Sequence, residues 1–522
     1  MGSPVFSQRN RLHSWGEWSF QAALGSFAGV FGVDQSFDYV VVGGGTAGNA
    51  IGVRLAKAGF KVAIIEAGEY HELSKPIFST VPGFDLFFIG SNVLETYLPA
   101  DWGFVTEAML GTNQRKIKYT QGKCVGGSSA VNAMLYHRGP GSMYDLWAEA
   151  VGDDSYRFDQ FDEFYKKSVT FDPPGKADEI NDESYYEDDF APNRQDTEVT
   201  QITFDDQKRA TGVNVKAFGS KYHIKAKGET IISASAFKSP QLLMLSGIGP
   251  RTTLQQFGLP IVSELEGVGV KTFDQLIHDP AYAAASAAEY TLLHSGPLSS
   301  NAVGLLAWEK IPQQYRDVFS RDTTNKLNSY SADWPEVEHL AIDGFTGDFQ
   351  SLILQQPLAF RSYATLQSAL VAPFSRGNVT IRSSSAMDAP VISPNWLEDK
   401  ADQEVAIVLF KRMREIMSTD VIQNTAVGKE YWPGSKVQTD DEILNYIRGS
   451  LMTVWHASCT YKMGTASDGM AVVDSAARVF GVQRLRVVDA SAFPLLIPGH
   501  PSSTVYALAE KIADNIIRNS GT

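Results

Sequence analysis

The sequence has only two cysteines, Cys124 and Cys459, in 522 residues. Two thiols so far apart exclude a disulfide-stapled scaffold and a cysteine-built zinc cluster. Basic charge is also scarce. Lys and Arg number 45 against 59 Asp and Glu, a net charge of −14, and such a field repels a phosphate backbone, so no nucleic-acid partner is expected. Long apolar runs are missing too. The stretch from Trp18 to Val33 is broken by Gly25, Gly29 and Gly32 and is too short for a membrane span. Arg9 and Arg11 precede it in the manner of a secretory signal, but no clear A-x-A-like cleavage site follows. Internal repeats and low-complexity tracts are absent.

What is present is an ordinary globular balance, 43% apolar and 20% charged, which excludes a disordered or collagen-like chain. At roughly 150 residues per domain, the length suits two to four domains or one large fold with a second lobe. Glycine is plentiful at 44, which suits a protein whose backbone must approach a cofactor closely.

Phe37 to Val42 is an apolar run ending at Gly43 and reads as one buried parallel strand. Ile51, Leu55 and Ala58 then recur at helical spacing, and Lys61 to Glu66 reads as a second strand, which completes one βαβ unit. Glu198–Phe204, Gly228–Ser233 and Leu485–Val488 read as further strands, and Ser239–Leu245 and Thr504–Ile517 as helices. Residues 275–450 are mixed and suit a second lobe around an antiparallel sheet. The acidic stretch Asp172–Thr197 reads as a solvated surface excursion.

Between the first strand and helix lies Gly43-Gly44-Gly45-Thr46-Ala47-Gly48, a G-x-G-x-x-G motif in the context that gives it meaning. Gly43 permits the tight turn, Gly45 lets the backbone approach a pyrophosphate, and Gly48 lets the helix pack on the strand. Thr46 and Ala47 open a helix whose positive end faces the phosphates. Glu66 ends the second strand 18 residues after Gly48. Its carboxylate suits a ribose 2′-hydroxyl and repels a 2′-phosphate, which disfavours NADP. The motif does not separate FAD from NAD.

Five further segments do. Gly122-Lys123-Cys124-Val125-Gly126-Gly127-Ser128-Ser129-Ala130-Val131-Asn132 is a second glycine-rich loop. Ser235 to Gly249 is a second patterned segment. Trp455-His456-Ala457-Ser458-Cys459-Thr460-Tyr461-Lys462-Met463-Gly464, Val487-Val488-Asp489-Ala490-Ser491 and Gly499-His500-Pro501-Ser502-Ser503-Thr504 lie near the end. On these residues the chain, from about Phe37 to Ile517, resembles the glucose–methanol–choline (GMC) family of flavoprotein oxidoreductases. It is closest in style to fungal aryl-alcohol-type and secondary-metabolite members.

The resemblance implies an α/β fold: a Rossmann-like FAD-binding domain with a second substrate lobe built on an antiparallel sheet. Residues 36–170, 197–272 and 452–522 would form the FAD-binding domain, and 171–196 and 273–451 the substrate-binding domain. It implies that Gly126, Gly127 and Ser128 pack against the flavin with Asn132 close to its ring, and that FAD is bound non-covalently. Val199 would touch the adenine through its backbone, and Asp489 and Ala490 would precede a turn that holds the pyrophosphate or ribityl chain. Trp455 would stack on the flavin or wall the pocket, and Pro501 would join the cofactor-binding residues. No metal is implied.

The family also places His456 and His500, 44 residues apart in sequence, together at the reactive face of the flavin. Alcohol oxidation removes a hydroxyl proton and a hydride, and an imidazole with an ordinary pKa of about 6.5 is a competent base. His456 is expected to be that base, with His500 bonding the substrate oxygen. The other seven histidines (His13, His71, His137, His223, His278, His294 and His339) lack motif support and read as structural or surface residues. Three features depart from the family. Cys459 stands where glycine is usual, the stretch from Phe171 to Glu198 is short, and Lys271–Gln275 differs modestly. The expected function is FAD-dependent oxidation of a small-molecule alcohol, primary aromatic or allylic before sugar, with dioxygen or another electron acceptor. The alternative is a non-redox cyclase or dehydratase of the same fold that uses both histidines for acid–base chemistry.

Overall fold

A computed structural model of the protein describes residues 33–74, 78–79, 90–95, 99–169, 193–194, 197–217, 220–249, 251–260, 262, 303–342, 344–351, 355, 357, 363–423 and 428–520. His13, His278, His294, residues 171–192 and the Lys271–Gln275 departure lie outside the described residues. The apolar run that reads as one strand is two: β1, Gln35–Phe37, and β2, Tyr39–Val42. They part at Asp38. Its carboxylate accepts from Lys61 N–H at 2.8 Å and its own N–H donates to the Lys61 carbonyl at 2.7 Å, which turns the chain from one sheet into the next.

The elements that follow are α1 (Thr46–Lys57), β3 (Val62–Ile65), α2 (Gly141–Val151), α3 (Phe158–Ser168), β4 (Asn193–Arg194), β5 (Thr197–Phe204), β6 (Ala210–Ala217), β7 (Ser220–Ala226), β8 (Thr230–Ile232) and α4 (Ser235–Leu245). After them come β9 (Val303–Glu309), β10 (Val337–Ile342), β11 (Thr365–Leu370), α5 (Lys400–Met417), β12 (Leu485–Val487) and α6 (Ser502–Asn519).

A parallel sheet runs in the order β12–β8–β2–β3–β4. Val40, Val41, Ala63 and Ile231 are wholly buried, as expected of strands covered on both faces. Val42 pairs with both Ile65 and Ile232, and Ile232 with Val487. The four strands therefore end in one row, and the chain leaves them at Gly43, Glu66, Ser233 and Val488. Parallel sheets of this kind bind ligands at the carboxyl ends of their strands. Asn193 and Arg194 pair with Ile64 and Ile65. The backbone ladder thus places that short strand on the parallel sheet.

Strands β1, β7, β6 and β5 form a second sheet beside the first. Helix α4 begins at Ser235, earlier than the Ser239 suggested by sequence. Asp489 Oδ2 receives the Ser235 N–H at 2.8 Å and Ser239 Oγ receives the Ala234 N–H at 3.1 Å, so side chains satisfy the first donors. The second lobe carries the antiparallel sheet β9–β10–β11, as expected. Strand β10 is buried on both faces. Val337 packs with Val405, Val408 and Leu409 of α5. Leu340 and Ile342 face Ala133, Leu135 and Trp455. By the two-residue period of a strand, Glu338 shares the face of Leu340 and Ile342. Among the described residues no helix is long and apolar enough to cross a membrane.

Candidate active site

The first glycine-rich turn and the second loop meet back to back. Gly126 N–H donates to the Gly44 carbonyl at 2.7 Å, and a Cβ built on Gly127 would lie 2.7 Å from Gly45 Cα. Gly48 does not line the cavity formed there. A Cβ on it would sit 1.8 Å from the Gly43 carbonyl oxygen, so its part is the close packing of α1 on the turn after β2. Gly126 also stands back from the cavity and turns the loop with φ 93°. Gly45 is the N-cap of α1 and no side chain caps that end. The first-turn N–H groups are therefore left to a phosphate.

Glu66 is buried at the end of β3. One carboxylate oxygen accepts from Gly44 N–H at 2.7 Å and the other from Gly68 N–H at 2.9 Å. Burial pushes its pKa up to about 7, against the lowering effect of those bonds. Each oxygen keeps a lone pair for a sugar hydroxyl. Asp489 is also buried. Its oxygens accept from Ser491 N–H and Oγ and from Ser235 N–H and Ser239 Oγ. Burial raises its pKa despite these bonds. The carboxylate is thus fully used in joining the end of β12 to α4, and what Asp489 and Ala490 offer the cavity is their position.

The resulting cavity of about 280 Å³ is lined by Gly43, Gly45, Thr46, Ala47, Glu66, Gly127, Ser128, Asn132, Val199, Trp455, His456, Asp489, Ala490, His500 and Pro501. Three other observations show that these surroundings fit a dinucleotide. Trp455 Nε1, Ser235 Oγ and Gln121 Oε1 line the cavity and are buried without a hydrogen-bond partner. The pair Gly45 and Gly127 leaves bare backbone on both sides of the phosphate position. The uncapped helix end and the Glu66 carboxylate are groups of the kind that suit an anion and a ribose hydroxyl. Val454 is shared with a larger cleft of about 2200 Å³ in the second lobe, rimmed by Phe345, Tyr363, Tyr431 and Trp432.

His456 and His500 meet edge to face, with ring centroids 4.7 Å apart and planes at 83°. Ala457 N–H, next to His456, donates to Tyr119 Oη at 3.0 Å and fixes that segment. His500 Nε2 donates to Glu338 Oε1 at 2.8 Å. Glu338 is wholly buried, and its Oε2 has no partner. Toward a carboxylate, which only accepts, Nε2 is the donor, and in the neutral imidazole this leaves the lone pair on the other ring nitrogen. Burial, then the charges of His500 and His137, hold His456 well below the ordinary histidine range, so it is neutral. A third imidazole, His137, lies 5.7 Å from His500. Sequence reading missed both Glu338 and His137. Glu338 lies in a strand that is apolar but for it and His339, and an acid in such a strand was the signal available.

Among the other described histidines, His339 bonds Glu309 and Ser368, His223 bonds Thr203, and His71 is buried away from the site. Both cysteines are free. Cys124 is buried, and burial pushes its thiol up to about 12, which leaves it inert. Cys459 adopts φ 64°, the left-handed region, while its N–H holds the Ala490 carbonyl at 3.0 Å. This explains why glycine suits the position. Cys459→Val is expected to cost about 2 kcal/mol and Cys459→Gly to stay within about 1 kcal/mol of the parent, since a β-branched residue is worst in this region. Thermal melts decide it, and a valine variant as stable as the parent would show that the backbone there is not strained.

Models of the GMC oxidoreductase family match residues 37–185 and 193–277 and residues 373–509. Patulin synthase of Aspergillus clavatus is 39% identical over 599 aligned residues, covering 97% of this chain and 95% of that protein. Versicolorin B synthase of Emericella nidulans is 36% identical over 584, covering 92% and 89%. The alignment with patulin synthase is longer than this chain's 522 residues by 77, so the relative carries at least that many without a counterpart here. The family match is interrupted between 185 and 193, inside the stretch that reads as short. The crystal structure of formate oxidase superposes with a TM-score of 0.80 at 22% identity, covering 94% of this chain and 99% of that one, a likeness of fold.

Proposed function

The chain belongs to the GMC oxidoreductase family, and on that premise we propose that it oxidises a primary aromatic or allylic alcohol to the carbonyl compound with non-covalently bound FAD. The observation that carries this is the contact of His456 with His500 at one end of the dinucleotide cavity, with a buried carboxylate behind His500. Gly45, Gly127, Glu66 and the open end of α1 would hold the cofactor. When bound, FAD supplies the acceptor for the hydride that leaves the alcohol carbon as the C–H bond breaks and the C=O bond forms. The hydroxyl proton passes to the lone-pair nitrogen of His500, and Glu338 stabilises the imidazolium that results. We thus place the base at His500, where sequence alone put it at His456. His456, kept neutral, donates to the substrate oxygen and steadies its developing charge.

The walls beside the histidines support an aromatic or allylic substrate over a sugar. Val131, Ala133, Leu135, Val454 and Trp455 line the cavity there and offer no acceptors for a ring of hydroxyls. Asn132 Oδ1 takes the Met134 N–H at 2.8 Å, and an amide supplies no nucleophile for a flavin bond. The non-redox alternative is favoured by one feature: a carboxylate-backed imidazole beside a neutral one is an acid–base pair whether or not a flavin turns over.

One experiment separates these. The purified holoenzyme is mixed anaerobically with panels of aromatic, aliphatic and sugar alcohols while its visible spectrum is followed. Bleaching by aromatic or allylic alcohols is the expected result, and readmitted air then reports whether dioxygen is the acceptor. Bleaching by sugars alone overturns the substrate class. A yellow protein that no alcohol bleaches favours the non-redox chemistry. Flavin that stays with acid-precipitated protein overturns non-covalent binding.

A further inference from the structure

We propose that His137 is a positioning residue that holds His500 in its reacting place, and that it does so only as the neutral imidazole with its proton on Nε2. The proposal rests on the role given to His500 above. His137 Nδ1 accepts the backbone N–H of His500 at 3.2 Å, and its Nε2 faces the Pro498 carbonyl oxygen at 3.1 Å. One nitrogen must accept and the other must donate, and a single protonation state meets both demands. A second proton would set an N–H against the His500 N–H and break the first of these bonds.

The fit around the ring is close. Trp308 stacks on it at 4.9 Å and 11°. Gly499, with φ 104°, meets the Nε2 edge of the ring, and a Cβ there would lie 2.3 Å from His137 Nε2, so glycine alone lets the loop reach the imidazole. The backbone carbonyl of His137 also accepts from Ser503 Oγ, in the first turn of α6. One residue thus anchors Pro498, His500 and Ser503, on both sides of the point where the loop becomes α6. The titratable groups facing His137 are His500 and Glu338, with His456 beyond them. Burial is the largest influence and lowers its pKa, helped by His500 and opposed by Glu338 and the two backbone bonds. The neutral form therefore prevails near neutrality, and acid turns it into the form that cannot hold His500.

The test compares His137→Phe, which keeps a flat ring but neither bond, with His137→Asn, whose Oδ1 can still accept from His500 N–H. Two quantities are measured on the flavin-loaded protein: the limiting rate of anaerobic flavin reduction with its pH dependence, and amide hydrogen exchange of the 498–501 stretch. Pro498 and Pro501 carry no amide hydrogen, so the signal there is that of Gly499 and His500. For His137→Phe the expectation is a limiting rate lower by about tenfold, the loss of one buried hydrogen bond, with substrate affinity little changed and fast exchange at His500. His137→Asn should restore slow exchange and most of the rate, and its acid limb should move to lower pH because the new side chain does not titrate. Parent-like exchange and rate in His137→Phe would overturn the proposal, as would a His137→Asn variant as impaired as the phenylalanine one. Should His137→Phe fail to fold, an unmoved acid limb in His137→Asn overturns it. Hydrogen exchange reads the clamp without turnover, so a parent enzyme that no alcohol reduces would refute the proposed function and leave the clamp still testable.

Discussion

His500→Ala is expected to slow anaerobic flavin reduction by about a thousandfold, the usual worth of a placed general base. Glu338→Gln should cost about ten- to a hundredfold, and the double variant should be no slower than His500→Ala alone. The reasoning follows from a single contact. Glu338 is wholly buried and bonds His500 Nε2 at 2.8 Å. Glutamine keeps the shape and still accepts from Nε2, but it carries no charge to balance an imidazolium. The variant should therefore bind substrate normally and lose the limiting rate. If Glu338 acts through His500, removing His500 first leaves it nothing to act on, and the two losses cannot multiply. Multiplying losses would show that Glu338 serves some other group. A His456→Ala variant that alone lost the thousandfold, with His500→Ala close to the parent, would return the base to His456. Stopped-flow reduction across pH measures all of these.

What could be read from the chain was whatever physics keeps local. Gly43 to Gly48 sits between a strand and a helix, and two of its glycines answer local demands: Gly43 turns the chain with φ 100°, and a Cβ on Gly48 would strike the Gly43 carbonyl oxygen. The parallel sheet, the antiparallel second lobe and the GMC family followed from such segments. The strand break at Asp38 was not legible, because the run on either side is apolar and its cause is Lys61, at the far end of the crossover through α1. Glu338 was hidden for a similar reason. A strand residue shows its period but not its partner, and its partner lies 162 residues away. His137 read as structural, because a clamp on backbone has no side-chain pattern in sequence. The left-handed turn at Cys459 could be suspected only from the glycine that usually stands there.

The other large effect is expected at the cofactor. Gly127→Ala should yield a folded but nearly colourless protein. Gly127 has φ 56°, where an added Cβ costs about 1–2 kcal/mol in the backbone alone. That Cβ would also press on Gly45 Cα at 2.7 Å, and Gly45 is the N-cap of α1. Neither side can yield cheaply. The loop side is bound by Gly126 N–H to the Gly44 carbonyl, and a Cβ on Gly122 already has no room against Gly127. Relief would come by parting the two loops, which turns the open end of α1 away from the phosphates and widens the strip of bare backbone that should clasp them. A loss of about 3–4 kcal/mol in binding weakens cofactor retention by several hundredfold, enough to lose FAD during purification. Gly141→Ala is the control. It lies at the start of α2 with nothing near its added methyl, and it should keep its colour. The ratio of flavin absorbance to protein absorbance, with circular dichroism to confirm folding, measures both. A fully yellow Gly127→Ala protein would mean that the two glycine loops do not form the phosphate seat, and a colourless Gly141→Ala protein would mean that colour reports something other than the seat.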